Sequence, residues 1–187
     1  FMHYYKDAIN YEDFNKVFNR DIISSDYKQI YLSRLDMLGK EVPFYPFNLE
    51  NEKGSFTSLE EFSGNVVLID FWYTGCINCV VLNSRLKPVY EKFKDNPKVK
   101  FVSISIDDNR KEWLKSIKSG QYTHQGSINL RAWGQSLSTR EKHPLIKRYN
   151  IIAYPSLFLL KNNKLITPYA PKADNQKLIA MIENALD

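Results

Sequence analysis

Apolar side chains recur along this chain with two periods. Over residues 1–38 they fall at helical spacing: Ile9, Phe14, Val17, Phe18, Ile23, Tyr27, Ile30, Tyr31, Leu35 and Leu38. Steps of three and four put such positions on one face, so one or two amphipathic helices are expected, stopped by Gly39. Pro43 and Pro46 then break regularity and open an extended segment. Gly54-Ser55 reads as a turn, and Ser58 as the cap of a short helix reaching Phe62. The run Val66-Val67-Leu68-Ile69-Asp70-Phe71 is nearly continuous and rich in β-branched residues, the pattern of a central strand covered on both faces. Trp72 to Gly75 makes a turn, and the apolar positions Val80, Leu82, Leu86, Val89, Tyr90 and Phe93 predict a helix from Cys76, kinked at Pro88.

A second strand is expected over Val99–Ile106 and a helix over Glu112–Lys118. Residues 119–142 are rich in Gly, Ser, Thr, Asn and Gln, with Tyr122 and Trp133 embedded. A stretch of that length without periodicity reads as an irregular insertion, either functional or mobile. A short helix over Leu145–Tyr149 precedes Tyr154-Pro155. Strands at Ser156–Leu160 and Lys164–Thr167 flank Asn162-Asn163, a hairpin signal. A closing helix follows over Asn175–Leu186, capped by Asp174. The order is extension, βαβα, insertion, ββα, without internal repeats.

The length of 187 residues fits one domain with an extension. A domain of about 150 residues buries roughly 70% of its unfolded surface, enough for a core without staples. With 43% hydrophobic and 25% charged residues the chain is neither disordered nor collagenous. Its aliphatic runs fall far short of the roughly 20 residues of a membrane-spanning helix, so no part is expected to cross a bilayer. The net charge of +5 comes from basic residues scattered in pairs such as Lys147-Arg148. That is a solvated surface, and no nucleic-acid partner is expected. The opening Phe1-Met2-His3 shows no charged-then-apolar secretion signal. Any membrane tether would lie outside these residues.

Cys76 and Cys79 are the whole sulfhydryl inventory. Two cysteines make no disulfide scaffold, and their closeness points to local chemistry. They stand where a strand has ended and a helix begins. A sulfur there meets unpaired amide N–H groups and the positive end of the helix dipole, which favour thiolate, the nucleophile of disulfide exchange. Cys76 is expected to be the exposed attacker. Cys79, one turn on, would close a disulfide and release the bound partner.

At this point the residues resemble the thioredoxin superfamily, in its TlpA/ResA-like branch. The match runs through Val67-Leu68-Ile69-Asp70-Phe71-Trp72-x-x-x-Cys76-x-x-Cys79, Pro88, the strand Val-x-Phe-Val-x-Ile-x-Ile-Asp ending at Asp107, and Tyr154-Pro155-Ser156. It spans about residues 39–187. The resemblance implies an α/β thioredoxin-like fold, a central mixed sheet flanked by helices, preceded here by the helical extension at 1–38. It implies a thiol–disulfide oxidoreductase with no metal and no cofactor, acting on protein disulfides or dithiols and served by a redox partner protein. An extracytoplasmic location, periplasmic or membrane-anchored, is part of the same implication. Pro155 would be a cis-proline facing the disulfide and presenting backbone to a partner peptide, with Tyr154, Trp72 and Tyr73 lining the groove. Asp70 would assist deprotonation of Cys79.

Three departures bear on specificity. Where relatives often place a Lys near the carboxylate, this chain has Ser103-Ile104-Ser105. Gly75 replaces a frequent Trp and is expected to open the surface. Ile77-Asn78 supplies no cation, which predicts a reducing to intermediate potential; 30 mV corresponds to about 1.4 kcal/mol.

Other chemistries are weighed against this one. Zinc would need two more ligands, and His124 and His143 are badly spaced, with His143-Pro144 reading as a helix start. Copper-delivering relatives separate their cysteines by three residues, not two. A peroxidase would want Thr or Ser where Tyr73 stands, Thr74 being one position off, and an Arg such as Arg131, Arg140 or Arg148. A docking module, built on the N-terminal helices and the 119–142 segment with Trp133, would use the cysteines as a latch.

Overall fold

A computed structural model describes residues 42–133 and 143–187. The helices expected over residues 1–38 lie outside the described residues. Among the described residues eight strands form one sheet: β1 (Val42–Pro43), β2 (Asn48–Asn51), β3 (Phe56–Ser58), β4 (Val66–Trp72), β5 (Val99–Ser105), β6 (Ile128–Arg131), β7 (Ser156–Lys161) and β8 (Lys164–Thr167). Their spatial order is β1-β8-β7-β4-β5-β6-β2-β3. β5 runs parallel to both β4 and β6; β7 is antiparallel to β4 and β8. The helices are α1 (Ile77–Arg85), α2 (Lys87–Phe93), α3 (Arg110–Lys118), α4 (Pro144–Arg148) and α5 (Asn175–Leu186). No helix among the described residues is long and apolar enough to cross a membrane.

Local chemistry sets the boundaries. Ser58 N–H donates to Glu61 Oε1 at 2.8 Å, starting a short 3₁₀ turn over Leu59–Phe62. Asn109 caps α3 by accepting from the Lys111 and Glu112 amides, and Asp174 caps α5 by accepting from Lys177 N–H. Asn162 and Asn163 both adopt positive φ, which joins β7 to β8 in the tight turn their identity favours.

Two expectations are corrected. The helix predicted from Cys76 to Phe93 is two helices rather than one kinked one. Pro88 has no N–H to give to the preceding turn, so α1 ends at Arg85 and Pro88 enters the first turn of α2, where the missing donor costs nothing. The stretch 119–142 is not wholly irregular: Ile128–Arg131 pairs with β5 over Val102–Ser105 as strand β6. Residues 134–142 lie outside the described residues.

The period-2 alternation of β4 splits the core. Val67, Ile69 and Phe71 face a cluster with Phe44, Phe47, Leu145, Tyr149 and Phe158. Val66 and Leu68 face α1, α2 and α5 through Leu82, Leu86, Val89, Leu178 and Ile182. Phe158 sits against Phe71 and Tyr149, both with ring centroids at 5.3 Å, and against Phe44 at 6.1 Å. Phe158→Ala is therefore expected to lose about 3–5 kcal/mol of stability. Urea unfolding would show a lower midpoint with unchanged slope, and a loss under about 1 kcal/mol would contradict this packing.

Candidate active site

The face of β4 that carries Val66 and Leu68 continues with Asp70 and Trp72 toward the end of the sheet. Beyond Trp72 the chain turns: Cys76 N–H donates to Tyr73 O at 3.1 Å, and Gly75 sits at φ +93°, a conformation L side chains rarely adopt. Cys76 is the N-cap of α1, and its Sγ accepts from Cys79 N–H at 3.1 Å. Cys76 and Cys79 form a disulfide with Cα atoms 5.2 Å apart. On reduction, the amide aimed at Cys76 Sγ and the helix N-terminus favour charge on that sulfur rather than on Cys79.

The expected exposure of Cys76 is corrected. Both cysteines are buried, Cys76 at 4% and Cys79 at 3% relative exposure. They cluster with Trp72 and Trp113, and Tyr73, Tyr122 and Tyr154 pack around that group. Gly75 is exposed, with open space where a side chain would stand, as expected, yet the sulfur behind it stays covered: Gly75 N–H donates to Tyr122 Oη at 2.9 Å, and the Tyr122 ring stacks on Trp72 at 4.9 Å. Trp72, read as a groove-lining residue, is fully buried and so offers no face to a partner. Tyr73 and Tyr154 meet edge to face at 5.5 Å and are only partly buried. Ile77, next to Cys76, is 78% exposed and is the open apolar feature of the site.

Asp70 lies opposite Ser103 on β5, and Ser103 Oγ donates to Asp70 Oδ2 at 3.2 Å. Burial pushes the Asp70 carboxyl up to about 7, against the weaker opposing pull of the Ser103 hydrogen bond. Burial, reinforced by the negative charge of Asp70, also pushes the Tyr90 phenol well up. The serine is thus the neighbour in hydrogen-bond contact with this carboxyl.

The Tyr154–Pro155 peptide is cis, and Pro155 is buried. Lys172 Nζ donates to Pro155 O at 2.5 Å, and burial lowers the pKa of that lysine. Burial raises Tyr154 to about 12.

A second hydrogen-bonded group went unread in the sequence. Asp107, two residues past the end of β5, accepts from Thr74 N–H at 2.9 Å, from Thr74 Oγ1 at 2.7 Å and from Ser105 Oγ at 2.7 Å. A signal lies in the strand itself: Ser103 and Ser105 occupy alternate, fully buried positions of a strand otherwise apolar but for Lys100, on the face that carries Asp70.

The side chains considered for other chemistries are engaged elsewhere. His124 stacks on Tyr90 at 4.4 Å and accepts from Gly126 N–H. His143 Nδ1 accepts from Leu145 N–H and caps α4, the helix start its Pro144 neighbour indicates. Among the described residues no group of three His, Cys, Asp or Glu is placed to hold a metal ion. Arg131 is buried and bonded to Glu50 and to the carbonyls of Asp107 and Asp108. Arg140 lies outside the described residues, and Arg148 ends α4. Trp133 is exposed, with its ring 5.9 Å from the Arg131 guanidinium.

A mixed sheet whose central strand delivers a bonded Cys-x-x-Cys pair to a helix start is thioredoxin architecture, and the chain belongs to the thioredoxin-like family, whose profile matches residues 64–166. It is an enzyme of the thiol–disulfide oxidoreductase class, which implies protein substrates. The thiol–disulfide oxidoreductase ResA of Bacillus thuringiensis subsp. konkukian (strain 97-27) is 28% identical over 131 residues, covering 69% of this chain and 67% of the relative. ResA of Bacillus cereus (strain ATCC 10987 / NRS 248) matches equally. A thiol–disulfide oxidoreductase from Bacteroides fragilis NCTC 9343 has the same fold, with a TM-score of 0.61 at 24% identity over 76% of this chain and 98% of that one. So has the thioredoxin domain of a thiol–disulfide oxidoreductase from Bacteroides vulgatus, at 0.62, 22%, 80% and 99%.

Proposed function

We propose that this enzyme reduces disulfides of partner proteins, with Cys76 as nucleophile, Cys79 as resolving thiol and Asp70 as the base for Cys79. The observation that carries this is the Cys79 N–H directed at Cys76 Sγ, which distinguishes one sulfur of the pair as the better thiolate. The Cys76 thiolate bonds to one partner sulfur, and the other leaves as a thiolate that takes up a proton. Cys79 gives its proton to Asp70 and bonds to Cys76 Sγ. The partner sulfur that Cys76 held departs as a thiolate and takes up a proton, leaving the partner as a dithiol and the enzyme in the disulfide form described above. A second redox protein returns the two electrons.

In the same proposal Tyr73 and Tyr154, partly buried beside the cysteines, flank the approaching segment. Pro155 presents backbone to it. Residues 39–187 act as the thioredoxin-like unit, and the protein works outside the cytoplasm, as the resemblance to the TlpA/ResA-like branch implies.

Trapping tests the assignment. Cys79→Ser is expected to accumulate a covalent partner adduct that dithiothreitol releases, whereas Cys76→Ser is expected to accumulate none. Equal trapping by both variants, or by neither, contradicts the assigned roles.

A further inference from the structure

We propose that Asp107 and Tyr122 are positioning residues that hold the Thr74–Gly75 peptide, and so keep Cys76 in its cap geometry once the disulfide is open. The inference rests on the reading of Cys76 as nucleophile and concerns how that sulfur is held.

In the disulfide form a covalent bond ties Cys76 to α1. In the dithiol form that bond is gone, and the direction of Cys76 Sγ toward the Cys79 amide depends on the turn before it. Three successive amides in that turn are committed. Thr74 N–H goes to Asp107 Oδ1, Gly75 N–H to Tyr122 Oη, and Cys76 N–H to Tyr73 O. The first two partners are side chains 33 and 47 residues away. A turn that passes through positive φ at Gly75 has few bonds of its own, so these distant side chains define its shape.

The hydroxyls around Asp107 have a forced direction. Thr74 Oγ1 donates to the carboxylate, which has only acceptors to offer, so the 2.8 Å contact between Thr74 Oγ1 and Ser116 Oγ has Ser116 donating. Ser105 Oγ donates to Asp107 and accepts Asp107 N–H at 3.0 Å. The carboxylate is thereby held by β5 beneath it, and through Thr74 it is linked to Ser116 of α3. The backbone that follows it is anchored by Arg131, whose Nη1 donates to Asp107 O at 3.3 Å and to Asp108 O at 2.7 Å. Tyr122 is set in turn by its stack on Trp72. The turn is gripped from both sides by side chains that touch neither sulfur through a hydrogen bond.

The test is the pH dependence of Cys76 alkylation by iodoacetamide in the reduced protein, with the labelled cysteine identified by mass. Thr74→Val removes the hydroxyl link, and Tyr122→Phe removes the acceptor of Gly75 N–H. Each is expected to raise the Cys76 midpoint by about half to one pH unit, a threefold to tenfold loss of thiolate at a fixed pH below it. Thr74→Ser is expected to restore the original midpoint. Deleting one oxygen from the partly buried Tyr122 keeps the test open should Thr74→Val fail to fold. An acidic Cys76 whose midpoint both variants leave unchanged overturns the positioning role alone. A Cys76 no more acidic than Cys79 in the unaltered protein overturns instead the reading it rests on.

Discussion

Replacing Asp70 with Asn is expected to slow release of the reduced partner from the Cys76 mixed disulfide by about 10²-fold at pH 7.5. The reason is the position of the carboxyl rather than its mere presence. Asp70 sits on the sheet face beneath α1, the helix that carries Cys79, between Leu68 and Trp72. Burial raises it to about 7, so it exchanges protons near neutral pH instead of staying a spectator anion. Only the deprotonated form accepts the Cys79 proton. The release rate should therefore rise with pH through about 7 and then level off. In Asp70→Asn the plateau near pH 7 should vanish, and the rate should keep rising with pH above it, because the Cys79 proton then has to leave without a carboxylate to take it. Stopped-flow measurement of the mixed-disulfide decay, after formation with a disulfide peptide, reads both features. A decay rate and pH profile shared by the two proteins would end the assignment of Asp70 as base.

The same substitution should stabilise the fold, and the sign follows from linkage. An unfolded Asp titrates near 3.8, and the folded carboxyl near 7. Between those values the unfolded chain has released a proton that the folded one still holds. The resulting stability is complete below 3.8 and is lost as pH rises to about 7, above which the carboxylate stands buried as an anion. The penalty is of order 4 kcal/mol before relaxation. Asn carries no such charge, so Asp70→Asn should be more stable than the unaltered protein above pH 7 and nearly equal to it below pH 4. A variant that loses turnover while gaining alkaline stability is the pattern of a residue kept for chemistry.

The sequence made parts of this site readable because their signals are local. Val66 to Phe71 announces a covered strand by its β-branched run, and the single carboxylate within it is conspicuous. Cys76 and Cys79 are placed by the strand end before them and the helical period after them. What stayed hidden depends on contacts across the chain. The burial of Cys76 comes from Trp113, Tyr122 and Tyr154, which lie between 37 and 78 positions later along the chain. β6 has four residues, Ile-Asn-Leu-Arg, too few for a period-2 pattern to stand out from polar surroundings. The grip of Asp107 on Thr74 needs β4 and β5 to be known as parallel neighbours with Trp72 opposite Ser105. Ser103, Ser105 and Asp107 stand at every second position, but without that register the serines signal only a missing lysine and Asp107 only the end of a matched strand.

Arg131→Met is expected to cost about 3 kcal/mol at pH 7. Glu50 and Arg131 stand directly opposite each other on β2 and β6, with side chains 13% and 8% exposed. Both Nε and Nη2 of Arg131 donate to Glu50 Oε2, and Arg110 Nε donates to Oε1 at 2.7 Å. Burial pushes Glu50 up, but the hydrogen bonds and charges of Arg131 and Arg110 together outweigh it and hold the carboxyl below its usual range. A lowered carboxyl contributes stability that is present above its unfolded value of 4.5 and is lost as pH falls through the folded one. Met fills much of the same space but leaves a half-paired anion, with desolvation then opposed by Arg110 alone. The loss should therefore be largest at neutral pH and shrink as pH falls through the lowered Glu50 value, where the carboxyl takes up its proton and the pair is lost in the unaltered protein too. Removing both charges with Glu50→Leu and Arg131→Met should recover a large part of it, because a vacant pair costs less than a broken one. Urea unfolding of the unaltered protein and the two variants, at pH 7 and at pH values descending into acid, decides the matter: a loss that does not change with pH, or a double variant no better than the single, would mean that Arg131 acts through its packing on Trp113 and its carbonyl bonds, not through charge.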